Sequence, residues 1–364
     1  MHAELNTLAT DIKQWAQALG FQQTAIIDTD LAQTGERLQS WLDKGYHGDM
    51  GYMAEHGSKR FRPAELIDGT RRIISLRFNY YPECENYDDI LTSPNKAAIS
   101  RYTLGRDYHK TLRARLKKLV ARIEARVNAL DLQSSDESTA PITGDFRVFV
   151  DSAPVMERAI AEKGGLGWVG KNTMIINKKA GSYFFLAEIY TNLPLPMDTD
   201  VDNKNHCGDC RACLDACPTQ AFEGPYVLDG TKCISYLTIE LKGSIPLPLR
   251  SKMGNRIFGC DDCQTVCPWN RFTRIVDEQD FSPRQNLDKS ELLELFAWTE
   301  EEFLSRTEGS AIRRTGYVGW LRNIAVALGN ATTSLDVISA LKARETHPSE
   351  IVREHVSWAL AQHQ

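Results

Sequence analysis

The sequence predicts a mixed α/β (α+β) domain over residues 1–200, a small cysteine-rich domain over 201–275, and an α-helical region with HEAT-like repeats over 285–364. Three observations carry that division. Apolar residues alternate between helical and strand periods through the first two hundred positions. Eight of the nine cysteines fall between Cys207 and Cys267. Two similar amphipathic stretches, about thirty residues apart, close the chain. With 364 residues, 42% hydrophobic and 25% charged, the chain has ample material for a core and needs no disulfide staples. The same balance excludes wholesale disorder, a collagen-like chain and a coiled coil.

Leu5 to Leu19 carries apolar residues at helical spacing and ends at Gly20, a C-cap residue. Thr24 to Ile27 and Arg72 to Tyr81 read as strands, and Tyr108 to Leu130 as a long helix. Ser134 to Thr143 is a polar loop. Phe146 to Val150 is a strand delivering Asp151, Met156 to Glu162 is helical, and Met174–Ile176 with Tyr183–Tyr190 reads as a strand pair around Gly181. The acidic stretch Asp198 to Asp202 marks a boundary. The terminal stretches, Val318–Asn330 and Ile351–Ala361 with Leu335–Leu341 between them, suit a HEAT-type repeat or a plain helical hairpin. No basic-then-apolar leader opens the chain and no apolar run is long enough to span a membrane. The expectation is a cytoplasmic protein, where cysteines serve as ligands or catalysts.

The cysteines divide by spacing. Cys207-x2-Cys210-x2-Cys213-x3-Cys217-Pro218 is the bacterial ferredoxin run, whose fourth cysteine ligates the other cluster in two-cluster proteins. The second run, Cys260-x2-Cys263-x3-Cys267-Pro268, lacks a first cysteine, and Cys233 completes the count. Two 4Fe–4S clusters follow, one on Cys207, Cys210, Cys213 and Cys267, the other on Cys217, Cys233, Cys260 and Cys263. The alternative is a pair of zinc sites. Cys84 is a spare thiol.

Gly165-Leu-Gly-Trp-Val-Gly170 matches a dinucleotide fingerprint, but a helix precedes it and a strand follows, the wrong context. Its glycines serve a tight turn or a close backbone approach. Asp151, at a strand end against an apolar wall, is a candidate general acid whose pKa desolvation would raise; the alternative is a turn or N-cap aspartate. Asp107-Tyr108-His109 gathers a carboxylate, a phenol and an imidazole at a helix start, or else caps a helix with His109 in solvent.

Lys59-Arg-Phe-Arg-Pro63, Ser100 to His109, Val150 to Arg158, Gly165 to Asn172, both cysteine runs and the terminal helices, in that order, closely resemble the epoxyqueuosine reductase family over nearly the whole chain. The resemblance implies a cobalamin-binding (vitamin B12) catalytic domain related in fold to reductive dehalogenases, with the corrin between it and the ferredoxin-like domain. It makes Asp151 the proton donor and sets Asp107, Tyr108 and His109 beside the substrate. Arg60, Ser100, Arg101, Ile175, Leu186, Ser235, Cys260 and Asp261, with Asp151 itself, fall at or near corrin-contacting positions. The implied reaction reduces epoxyqueuosine to queuosine at the wobble position of tRNA anticodons, the last step of queuosine biosynthesis. Electrons come from an external one-electron donor through the two clusters, and the expected state is a monomer.

A net charge of −5 is unusual for a tRNA partner, but the charge is uneven. Residues 101–126 hold nine basic against two acidic residues, and 241–274 hold six against two. Arg313, Arg314, Arg322 and Arg353 decorate the terminal helices. Two other classes stay open on sequence: an electron-transfer module that only carries clusters, and an organohalide reductase.

Overall fold

A computed structural model describes residues 2–130, 144–199 and 204–364. The predicted polar loop from residue 134 and the end of the acidic stretch at 200–202 lie outside the described residues. The front half is built on a four-stranded sheet in the order Gln23–Ile27, Arg72–Asn79, Phe184–Thr191, Phe146–Phe149, with every pairing antiparallel. This is the α+β form of the expected mixed domain.

Side chains alternate across a strand, so each strand feeds two faces. Ile26, Ile74, Leu76, Phe78, Phe185, Ala187 and Ile189 face two helices. The His2–Ala18 helix buries Leu5, Leu8, Ile12 and Ala16, and Gly20 turns the chain at φ +92°. The Tyr108–Ala129 helix buries Leu112, Leu116, Leu119, Ile123 and Val127 at three- and four-residue steps. Each such side chain, fully buried, contributes about 1.5–3 kcal/mol. Opposite them, Ile27, Ile73, Phe149 and Tyr190 pack on Ile160 of the Glu157–Lys163 helix.

One expected strand pairing is corrected. Ile175–Ile176 pairs with Trp168–Val169, while Phe184–Thr191 runs through the middle of the sheet, and only an Asn177–Gly181 bridge joins the two segments. The glycines explain why. Gly165 turns at φ +67°, and a Cβ at Gly167 would lie 2.3 Å from the Ile176 carbonyl oxygen, so only glycine lets these two strands approach.

The cysteine region is tied to the front domain by a parallel pairing of Arg256–Phe258 with Ala98–Ile99. At the C-terminus, helices Gly316–Gly329, Leu335–Lys342 and Glu350–Ala361 lie where the amphipathic stretches put them. Trp320, Leu321, Ile324 and Leu328 share a core with Val352, Val356 and Ala359, and also with Ile257 and Phe258. Arg322 corrects the charge map. It is 1% exposed and donates to the carbonyls of Leu237, Leu241 and Gly243, each at 2.8 Å. Its guanidinium binds the cysteine region from inside and presents nothing to a polyanion. Neighbouring Asn323 donates to Thr238 and Ile257 carbonyls at 2.8 and 2.9 Å.

Candidate active site and cluster ligands

The Phe146–Phe149 strand ends at buried Val150, and Asp151 then takes a left-handed φ of +55°. That conformation is costly for a non-glycine residue and marks a position its surroundings impose. Two side chains from the start of the long helix hold its carboxylate. Tyr108 Oη donates to Asp151 Oδ2 at 2.6 Å, and His109 Nε2 lies 3.2 Å from the same oxygen. Asp107 is the helix N-cap, accepting from the His109 amide at 3.1 Å, and its carboxylate also meets His109 Nδ1 at 2.7 Å. The capping reading of this triplet holds at Asp107, but His109 is buried, not in solvent.

The fifth member comes from the C-terminal region. Arg314 lies with Nη2 at 3.0 and 2.9 Å from the two His109 nitrogens and Nη1 at 4.0 Å from Asp151 Oδ2. One nitrogen equidistant from both ring nitrogens sits over the imidazole. Arg314, counted from sequence as a surface cation, belongs to this site.

Burial works against a charged imidazole, but hydrogen bonds to Asp107 and Asp151 outweigh it and raise the His109 pKa. For Asp151 the expected direction is reversed. Burial does push its pKa up, yet His109, Tyr108 and Arg314 together hold it below the usual carboxylate range. The side chain is 51% exposed, so the wall anticipated from sequence does not close over it. The acid with the raised pKa is its neighbour. Glu157 accepts from the Asp151 amide at 2.5 Å, and burial, with the Asp151 charge adding, pushes it to about 8. Behind it Glu188, 0% exposed on the central strand, is pushed well up by burial and by Glu157. Sequence reasoning missed both; the visible signal was a lone carboxylate inside the apolar run Phe184-Phe-Leu-Ala-Glu-Ile-Tyr190.

Cys207, Cys210, Cys213 and Cys267 border a cavity of about 230 Å³, roomy for a cluster and several times the ~30 Å³ share of one water molecule. Burial first, then Cys267, Cys207 and Cys210, push the Cys213 thiol up to about 11. Cys263 lies near Cys233 and Cys217 and beside Cys260, and burial pushes both Cys263 and Cys260 well up. The glycine motif finds its purpose here. Lys171 Nζ donates to the Gly208 and Cys210 carbonyls at 2.6 and 2.9 Å, and Asn172 Nδ2 to Cys263 O at 3.0 Å. The segment braces both cysteine loops.

The residues that the resemblance sets at corrin-contacting positions fall into separate groups. Asp261, fully buried, accepts from Ser100 Oγ and from the Arg101 amide at 3.0 Å, next to Cys260. Arg101 sits among the rings of Tyr81, Tyr87 and Tyr183. Ile175 and Leu186 pack in one small core, and Ser235 lies against Cys233. Arg60 is 6% exposed; Nη2 donates to the Tyr52 carbonyl, while Nε has no hydrogen-bond partner among the described residues. A buried donor so placed fits a bound acceptor.

Comparison with known proteins gives a consistent result. Residues 60–152 match the family described as epoxyqueuosine reductase QueG, DUF1730, and residues 206–270 match a 4Fe-4S double cluster binding domain. The chain is 58% identical over 356 residues to an epoxyqueuosine reductase of Pseudomonas aeruginosa, covering 98% of this chain and 94% of that one. Among solved structures, an epoxyqueuosine reductase bound to a tRNA-Tyr epoxyqueuosine-modified stem loop superposes with a TM-score of 0.85 at 27% identity, covering 98% of this chain and 90% of that one. The Bacillus subtilis epoxyqueuosine reductase, solved with its catalytic aspartate loop swung out of the active site, gives 0.84 at 28%, covering 98% and 91%.

Proposed function

The chain belongs to the epoxyqueuosine reductase family, and on that premise we propose how its residues divide the reduction of epoxyqueuosine to queuosine in tRNA. Converting the epoxide to an alkene releases one oxygen as water, which takes two electrons and two protons. The observation that carries the assignment of the acid is the convergence of Asp107, Tyr108, His109 and Arg314 on Asp151.

An aspartate held this acidic is a poor proton store, but it has one alongside. His109 faces a carboxylate at each nitrogen, and those hydrogen bonds raise its pKa, so it is the better proton carrier of the two. Asp107 stabilises the imidazolium from Nδ1, Nε2 presents a proton to Asp151 Oδ2, and Asp151 passes it to the oxygen leaving the substrate. Tyr108 fixes the carboxylate's direction, and Arg314 limits how much proton the pair retains.

The eight cysteines hold two 4Fe–4S clusters in this reading, the set with exposed Cys210 facing an external one-electron donor. Cobalamin, when bound, supplies a centre able to collect those single electrons. Arg60, Ser100, Arg101, Ile175, Leu186, Ser235, Cys260 and Asp261 would hold it between the front domain and the cluster loops, in a fold akin to that of the reductive dehalogenases. The C-terminal helices act as HEAT-like repeats that present Arg313 and Arg353 to the anticodon arm. The protein works as a cytoplasmic monomer, and no helix among the described residues is long and apolar enough to cross a membrane.

Nucleoside mass spectrometry of tRNA tests the function. A strain lacking its own reductase accumulates epoxyqueuosine, and this chain is expected to restore queuosine. Persistent epoxyqueuosine, with both clusters present by visible absorbance, overturns the assignment.

A further inference from the structure

We propose that Lys171, supported by Arg271, is a positioning residue that acts through a cluster: its positive charge sets the reduction potential on Cys207, Cys210, Cys213 and Cys267 above that on Cys217, Cys233, Cys260 and Cys263. The proposal rests on the two-cluster reading of the eight cysteines, and deepens it by giving the two sets different tasks.

Lys171 and Asn172 stand at the tip of the hairpin between Trp168–Val169 and Ile175–Ile176. The tip is closed by the Gly170 amide donating to the Met174 carbonyl and the Thr173 amide to the Gly170 carbonyl, both at 2.8 Å. The Lys171 carbonyl accepts from the Tyr226 amide at 3.0 Å, which ties the tip to the cysteine region. With its backbone held there, Lys171 sends its ammonium to the Gly208 and Cys210 carbonyls and lines the cavity that the first four cysteines border. The next residue, Asn172, sends an uncharged amide to the Cys263 carbonyl of the second set. Adjacent residues thus give one set a cation and the other a dipole.

The surrounding charges carry the same asymmetry. Arg271 also lines the first cavity, its guanidinium over the Phe272 ring. Neither Lys171 nor Arg271 forms a salt bridge among the described residues. Of the carboxylates on that loop, Asp215 pairs with Arg211 at 3.7 Å and Asp209 stands exposed to water. In the second set, Cys260 Sγ lies 3.1 Å from Asp262 Oδ1, and fully buried Asp261 follows Cys260 in the chain. The cations there are already engaged, Arg256 with Asp262 at 2.9 and 2.6 Å and Arg101 with Asp261 at 3.4 Å. A four-thiolate cluster becomes more negative by one charge when it accepts an electron, so a cation beside it favours the reduced form and a carboxylate disfavours it. The first electron from the external one-electron donor therefore rests on the set with exposed Cys210, and the second set fills last. The stronger reductant then lies beside Asp261, which binds Ser100 and the Arg101 amide of the front domain.

The test is an EPR-monitored redox titration of the anaerobic holoenzyme, with dithionite as the one-electron reductant and the midpoints of the two clusters as the readout. Two separate steps are expected for the wild type. Lys171→Met should lower the electron affinity of the upper step roughly tenfold, about 59 mV for a one-electron couple, and leave the lower step in place. Lys171→Arg should stay within about twofold of the wild type, since it keeps the charge. Lys171 also braces a loop, so Arg271→Glu is the second variant and decides alone if Lys171→Met loses its iron. Arg271 lines the same cavity without a side-chain hydrogen bond to the cysteine loops among the described residues, and reversing its charge should lower the same step by roughly threefold or more. Coincident wild-type steps, an upper step unmoved in the variants, or a shift of the lower step alone or of both equally overturns the proposal. A wild type whose iron and sulfide suffice for one cluster only fails the two-cluster reading instead, so the two failures are separable.

Discussion

The two faces of the central sheet use the same strands and differ in every other respect. On one, Ile74, Leu76, Phe78, Phe185, Ala187 and Ile189 meet the two long helices in an unbroken apolar layer. On the other, one residue along each strand, Ser75 and Glu188 interrupt a smaller core, and beyond them lies Asp151. Alternation of side chains thus lets one sheet carry an apolar layer on one side and ionisable groups on the other. The first face makes the strands rigid enough for the second to hold polar groups that pay no return in stability.

The contrast can be broken from either side. The largest effect should come from Asp151→Asn, with turnover lower by roughly 10²–10⁴ and denaturant midpoint unchanged; single-turnover kinetics beside urea unfolding separates the two. Leu76→Ala, on the dry face, should do the reverse. A loss of about 2–5 kcal/mol in urea unfolding is expected, with turnover per folded molecule preserved. Arg314→Ala should slow turnover only a few-fold, consistent with ~0.2–1 kcal/mol for half-exposed charge contacts. Because Arg314 lowers the proton affinity of both Asp151 and His109, its loss should move the pH–rate profile toward higher pH. A shift toward lower pH contradicts the proposed relay. The smallest change is expected for the stability of Glu188→Met, within about 1 kcal/mol, since a buried carboxyl without good partners is replaced by an apolar chain of similar volume. Thermal unfolding reads this directly, and a large loss would show that Glu188 is a structural anchor.

Much of this architecture is written locally. The helices at His2–Ala18 and Tyr108–Ala129 and the strands flanking them follow from apolar periodicity, and the double-cluster domain over 206–270 follows from cysteine spacing. Features that depend on distant segments meeting were not legible. Nothing near position 314 says that its guanidinium lies over an imidazole 205 residues earlier. Arg322 has the pattern of a helix-surface cation until the 237–243 carbonyls close round it. The pKa of Asp151 was misread because a strand end against apolar residues suggests desolvation, whereas three neighbours, two of them from the long helix, decide the outcome. Glu188 was the readable exception, since a carboxylate in an apolar strand requires an explanation wherever it occurs.

Buried Arg322 also carries a consequence for the order of biosynthesis. The segment from Leu237 to Gly243 follows Cys233 and precedes Cys260, yet three of its carbonyls find their donor in a helix made much later. A chain emerging from the ribosome N-terminus first therefore completes the whole 207–267 cysteine region before that donor exists. Only the arrival of the last helices supplies that donor and fixes the 237–243 segment in place.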